Sequence, residues 1–313
     1  MAGIFVKRLI SGLVLLWTST ALVFFLMHAS GGDIARSLLG SQVTQDVVDA
    51  KAHQLGLDQP VIIQYLNWLT SAVTGDLGVS WTMGTPVSTV IFSRTAVTLS
   101  IVISSLIITS ILAVIIGVVS ARKRGWLDQT LQGASILGTA LPSFWIALVL
   151  VTTFAINIKL FPATGYVAFE KNPVGWVMSL VLPVAAISVA GISGVAMQVR
   201  SAVIDLGQKE FVRTLVSHGL THRRILFRHI LRNAAGPSLV ILSLQFVGML
   251  SGAVVIEKVF SMPGLGILAV SATSVSDVPI VMGVMTIMVA LVVLVNLIVD
   301  LTSAWLNPKV RIR

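Results

Sequence analysis

Six stretches of the chain keep apolar side chains on every face for about 20 residues or more, the length needed to cross a bilayer as a helix. They run from Leu9 to His28, Val97 to Ala121, Thr130 to Ile156, Met178 to Val199, Pro237 to Ile256 and Pro279 to Trp305. The first follows Lys7 and Arg8 and exceeds the short apolar core of a signal peptide, so it is expected to be a retained span. Between spans one and two, residues 30–96 are too many for a simple link. There, "TQDVVDAKAHQLGL" sets Val47, Val48, Ala52 and Leu55 near helical spacing, with Asp46 and Asp49 early, where a helix N-terminus favours acids. "QPVIIQYLNWLTSAV" repeats the pattern after Pro60, a good first helical residue. Two short amphipathic helices are expected in this segment. The division is therefore 1–29 for the first span, 30–96 for the loop and 97–313 for the remaining spans, with a polar interruption at 200–236.

Composition strengthens the membrane reading. Of 313 residues, 56% are hydrophobic and 11% charged, against roughly 45–50% and 25% in a soluble domain. There is no Cys, so disulfides and thiolate chemistry are excluded. The net charge of +9 is distributed unevenly. If six spans alternate, one side carries Lys7, Arg8, Arg122, Lys123, Arg124, Arg200, Lys209, Arg213, Arg223, Arg224, Arg228, Arg232, Lys309, Arg311 and Arg313. The other carries only Arg36, Lys51, Arg94, Lys159, Lys171 and Lys258. The basic side is expected to be cytoplasmic, with both termini on it, and the excess marks membrane loops rather than nucleic-acid binding.

The spans hold few groups that could do chemistry. Gln245 is the main polar residue near a span centre, and Ser251 follows one and a half turns on; both are candidates for lining a pathway. Ionisable relays of the kind that drive secondary transport are missing, as are the metallohydrolase, serine-hydrolase and nucleotide-binding motifs. No metal or cofactor is expected in the chain, and no catalytic site. Gly248 and Gly252 are spaced for close helix contact, which reads as ordinary packing. A translocator of this kind is a passive channel, or another subunit drives it.

The polar interruption has its own pattern. In "EFVRTLVSHGLTHRRILFRHILRNAAGP", Phe211, Val212, Leu215, Val216 and Leu220 share one helical face, and Arg213, Thr214, Ser217 and His218 the other. Gly219 is a natural stop, and Thr221 a suitable N-cap for a second helix. There Arg224, Arg228 and Arg232 sit four apart as a basic stripe, and Pro237 suits the first turn of span five. From these residues alone, a helix resting on anionic lipid and a dock for a cytoplasmic protein remain equally open.

The same stretch, 210–237, resembles the cytoplasmic signature of permease subunits of bacterial ABC importers, in the oligopeptide/dipeptide/nickel branch. "LGLDQPVIIQYLNWL" (55–69), "GDLGVSW" (75–81), "LPSFWIAL" (141–148), "EKVFSMPGLGILAV" (257–270), "SDVPIVMG" (276–283) and the tail "NLIVDLTSAWLNPKVRIR" are similar to the same branch in the same order. The general importer signature has Glu-Ala-Ala where Arg213, Thr214 and Leu215 stand. The resemblance implies an all-α integral membrane protein with six transmembrane helices in the type I ABC importer permease fold. It implies a coupling helix of about Glu210 to His218 (Glu210, Phe211, Val212, Arg213, Thr214, Leu215, Ser217 and His218) ending at Gly219. Arg224, Arg228, Arg232, Asn233 and Pro237 would support it. External gate or binding-protein contacts would fall at Asp58, Pro60, Asp76, Glu257, Pro263, Gly264 and Gly266, with Pro263, Gly264 and Gly266 forming an irregular segment. The implied partners are a homologous second permease, two cytoplasmic ATPases that bind ATP and Mg²⁺, an external solute-binding protein and membrane lipid. The implied cargo is a short peptide, with nickel or a metal chelate as the alternative; a passive channel or lipid-surface scaffold is the alternative of another class.

Overall fold

The computed structural model describes residues 2–29, 34–40, 42–123 and 125–306. Arg124 and the basic tail Lys309, Arg311 and Arg313 lie outside the described residues, as does Asn307-Pro308-Lys309. Helices run in the order α1 (Ala2–Ala29), α2 (Ile34–Leu39), α3 (Gln45–Gln54), α4 (Val61–Val73), α5 (Val87–Arg122), α6 (Trp126–Ala140) and α7 (Ser143–Leu150). They continue with α8 (Pro173–Gly207), α9 (Glu210–Ser217), α10 (His222–Ile225), α11 (Leu231–Val259), α12 (Leu265–Ser274) and α13 (Val278–Leu306). Two π-helical segments follow α7 and α10, at Val151–Asn157 and Leu226–Ile230.

Among the described residues, five helices are long and apolar enough to cross a membrane: Phe5–Ala29, Val87–Arg122, Pro173–Gly207, His222–Val259 and Val278–Ser303. The expected third span is broken. Helix α6 and the α7 segment meet at a 100° bend, because Pro142 removes an amide donor and drives Leu141 into extended backbone, φ −83° and ψ 126°. Fifteen residues of α6 reach only about 22 Å, short of a roughly 30 Å hydrocarbon core, so the pair makes a sixth span only as a bent unit.

Other boundaries differ from expectation for local reasons. Helix α5 starts at Val87, so the boundary at 96/97 lies inside a continuous helix; Ser93, Arg94 and Thr95 interrupt the apolar run without interrupting the helix. The 30–96 segment holds three helices rather than two, α2 being the addition. Pro237 lies inside α11 instead of at its start. The second helix after Gly219 is thus one apolar helix with span five, from His222 to Val259.

The chain forms two compact units, each assembled from distant segments. One comprises residues 1–6, 99–262 and 294–313; the other comprises residues 7–98 and 263–293. In the first, Ala113, Val195, Ala196, Val199, Val203, Ile225, Leu226 and Ile230 make a buried cluster from α5, α8 and the α10 region. Gly117 admits α8 to α5 there: a Cβ would lie 2.7 Å from the Ala196 carbonyl oxygen. In the second, Phe24, Ile34, Tyr65, Val278 and Met282 join α1, α2, α4 and α13, and Val87, Ile91, Leu265, Leu268, Ile280 and Val284 join α5, α12 and α13.

Candidate functional site

The candidate site is the short helix α9 and the groups that fix it. Lys209 precedes it in extended backbone, and Glu210 stands in its first turn, where a negative charge complements the helix dipole. Its C-terminus closes in a Schellman turn: Gly219 N–H donates to the Val216 carbonyl at 2.9 Å, and Leu220 N–H to the Leu215 carbonyl at 3.2 Å. Gly219 sits at φ +78°, where a Cβ is disfavoured, and supplies the expected bend. The space around it is open, so the constraint is the backbone alone.

The two faces of α9 separate as its pattern requires except at Val216, which is exposed. Val212 and Leu215, with Leu220 beyond the turn, pack against the Ala113–Ile230 cluster of their own chain. Phe211 is half-buried, while Glu210, Arg213, Thr214, Val216, Ser217 and His218 are exposed. Apart from Val216 the exposed face is therefore polar, and Val212 and Leu215 attach the helix to its own chain. Beside α9 lies a cleft of about 750 Å³, lined by Arg122 of α5, Val203 and Gly207 of α8, Val212, Arg213 and Ser217 of α9, and His222 and Ile225 of α10.

Helix α8, which leads into α9, is gripped about two turns before its end. Arg200 Nε donates to Asp128 Oδ1 at 2.7 Å and its second nitrogen to Oδ2 at 2.5 Å, a two-point contact between α8 and the first turn of α6. Ser120 of α5 donates its hydroxyl to the same carboxylate. Asp128 and Ser120 are buried. Sequence reasoning missed this trio because its members are 72 and 8 positions apart in the chain. An acid four residues after the basic Arg122–Arg124 run was the available signal.

The supporting residues are brought in only partly. Arg224, Arg228, Arg232 and Asn233 are exposed, along α10, the π-helical segment and the start of α11. Thr221 precedes α10 as expected, without a side-chain cap bond. Asn233 Nδ2 donates to the His229 carbonyl at 2.9 Å.

The external candidates divide. Asp58, Pro60 and Asp76 are exposed; Asp58 lies 3.9 Å from His53, and Asp76 accepts from Gly78 N–H at 2.9 Å. Pro263 is also exposed. Glu257 is fully buried, since α11 continues to Val259 and turns this side chain inward, so it cannot be a surface contact. Gly264 and Gly266 are buried, and Gly264 is extended at φ −96°. The left-handed residues here are Ser261, φ 50°, and Ser276, φ 57°. Of the expected irregular segment, Pro263 and Gly264 do lie outside any helix, while Gly266 falls in the first turn of α12, whose first amide, Leu265 N–H, donates to Thr98 Oγ1 at 2.8 Å.

A further polar centre went unread. Asp277, buried ahead of α13, accepts from Ser80 Oγ at 2.6 Å, Thr82 Oγ1 at 2.6 Å, Thr82 N–H at 3.1 Å and Trp81 N–H at 3.3 Å. It thereby fastens the 80–82 loop to the α12–α13 junction. Gln245 is half-buried, and Gly194 of α8 allows its approach; Ser251 is exposed. Among the described residues, no group of three or more His, Asp or Glu could hold a metal ion.

A multi-span helical membrane protein with a short, Gly-terminated amphipathic helix between two long spans is the class these features define. Residues 113–312 match the family described as binding-protein-dependent transport system inner membrane component, and residues 1–113 match its N-terminal companion. The chain belongs to this family. It is 34% identical over 312 residues to a putative peptide transport system permease protein of Brucella abortus, covering 99% of each chain. It is 32% identical over 314 residues to the oligopeptide transport system permease protein AppB of Bacillus subtilis, covering 99% of each. It is also 30% identical over 314 residues to the glutathione transport system permease protein GsiC of Escherichia coli, covering 100% of each. In fold it is similar to a chain of the inward-facing MetNI methionine ABC transporter, with a TM-score of 0.56 at 13% identity. That match covers 70% of this chain and 97% of the other. The chain is a multi-pass inner-membrane component of a transport system.

Proposed function

We propose that the chain is a permease subunit of an ATP-driven importer of short peptides, and that α9 is the element through which ATP hydrolysis on partner subunits moves the spans. The observation that carries this reading is the construction of α9. It is short, tied to its own chain by one face, stopped by a left-handed glycine, and polar on the free face apart from Val216. The relatives' names, which speak of peptide, oligopeptide and glutathione transport, support a peptide cargo.

In this reading a second, homologous permease pairs with the chain, and two cytoplasmic ATPases bind ATP and Mg²⁺. An external solute-binding protein delivers the peptide. Both termini are cytoplasmic, as the distribution of Lys and Arg favours. When the ATPases close they displace α9. Val212 and Leu215 pass the displacement to the packed ends of α5, α8 and α10, and the Arg200–Asp128 contact carries it from α8 to α6. The cleft beside α9 gives it room for that movement. The spans then rock between inward-open and outward-open states as packed bodies.

Reconstitution of the chain with its cognate partners in vesicles tests the proposal. ATP hydrolysis should rise when binding protein and peptide are added together, with peptide accumulating inside. Uptake that persists without ATP and down its gradient only would make the chain a passive channel and overturn the reading.

A further inference from the structure

Helix α4 contains no charged residue, VIIQYLNWLTSAV, and exposes apolar side chains although it does not span. Its inward face, Tyr65, Trp68 and Leu69, is occupied by packing against α1 and its neighbours. The remaining surface is not uniform. Ile62, Leu66 and Val73, at positions i, i+4 and i+11, form one exposed aliphatic stripe, Asn67 and Ser71 form an exposed polar stripe on another side, and Ile63 is exposed between the two.

Hydrogen bonds to α1 fix which stripe points into the membrane. The Tyr65 hydroxyl donates to the Trp17 carbonyl at 3.3 Å and lies 3.1 Å from Thr20 Oγ1. Thr20 is nine residues before the end of α1 at Ala29, about 13 Å along the helix axis. Gln64, on the polar side, meets His28 Nε2 at 3.2 Å, at the very end of α1, and donates to the Gln59 carbonyl at 2.8 Å. The Tyr65 side of α4 therefore faces the membrane interior and the Gln64 side faces outward. The aliphatic stripe lies next to Tyr65 on the helix surface. It continues the exposed apolar flank of α1, including Leu22, Phe25 and Leu26.

We infer that α4 is a monotopic helix sunk in the leaflet at the Ala29 end of α1, with Ile62, Leu66 and Val73 contacting lipid acyl chains and Asn67 and Ser71 at the water boundary. The pattern is that of an interfacial helix, with one face in the acyl region and the other wet, except that packing on α1 replaces lipid charge as the anchor. The partner is the bilayer rather than a protein, because the aliphatic stripe faces the depth that Thr20 occupies.

The chain has no Cys, so single thiols can be placed without background. Ile62→Cys, Leu66→Cys, Val73→Cys, Asn67→Cys and Ser71→Cys all change exposed positions and disturb no core. Each would carry an environment-sensitive fluorophore on the full chain in phosphatidylethanolamine/phosphatidylglycerol vesicles. Quenching would be measured with aqueous iodide and with lipids bearing a nitroxide near the ester carbonyl. The labels at 62, 66 and 73 should be several-fold better quenched by lipid and several-fold less by iodide than those at 67 and 71. Equal access of iodide to all five positions would overturn the inference. So would iodide access at 62, 66 and 73 that disappears only when the solute-binding protein is added, which would make the stripe a protein docking surface.

Discussion

Leu220 N–H reaches back to the Leu215 carbonyl across Gly219 at 3.2 Å, and with the Gly219 N–H bond to Val216 it closes the turn between α9 and the long helix that follows. The Gly219 backbone, φ +78°, penalises any Cβ, and a β-branched residue costs about 1–3 kcal/mol there. No neighbour would clash with the added atoms. Gly219→Asn should therefore transport nearly normally, Gly219→Ala less well, and Gly219→Val should lose substrate-stimulated ATP hydrolysis while the complex still assembles. Transport and hydrolysis assays on the purified complexes check this order.

Arg200 holds Asp128 with two nitrogens, a geometry that lysine cannot reproduce. Arg200→Gln should lower the thermal unfolding temperature of the detergent-solubilised chain markedly, and Arg200→Lys should fall between Gln and the parent. Asp128→Asn should resemble Arg200→Gln, since each leaves one member of the pair unmatched, Asp128 buried or Arg200 half-buried. Fluorescence-detected melting of the three variants distinguishes these outcomes from a surface pair that contributes nothing.

Asp277 gathers four donors from residues 80–82. Asp277→Asn keeps the size but loses acceptor capacity and charge, and should cost about 1–3 kcal/mol. The loop should loosen first. Hydrogen exchange at Trp81 and Thr82 should accelerate in the variant, with α9 unaffected.

Legibility tracked the physical origin of each feature. The spans and α9 follow from local periodicity, and Gly219 announced its own turn. The break at Pro142 was also signalled, but a run of apolar residues on both sides concealed it. Other features had little or no local signature. Ser261 and Ser276 are left-handed although neither is Gly, the tertiary structure overriding a local cost of about 1–2 kcal/mol. The Arg200–Asp128 contact and the Asp277 centre join residues far apart in the chain, and Glu257 reads as an exposed loop acid until helix α11 encloses it.

Orientation can be read with single thiols in the Cys-free chain. Val167→Cys and Ser274→Cys, both exposed, should react with an impermeant reagent added to intact cells. Gln129→Cys and Ser217→Cys, also exposed, should react only after permeabilisation. Labelling at 217 in intact cells would place α9 outside and end its role as a transmission element.

The central claim, that the polar face of α9 meets an ATPase subunit, is tested most directly by site-specific photo-crosslinking in the assembled importer. A photoreactive side chain at Arg213 or Thr214, on the exposed face, should join the chain covalently to the ATPase, and the yield should change on ATP addition. The same group at Val212, which faces the chain's own core, should not. Crosslinks from 213 and 214 to lipid alone, with the ATPase present and bound elsewhere, would contradict the account.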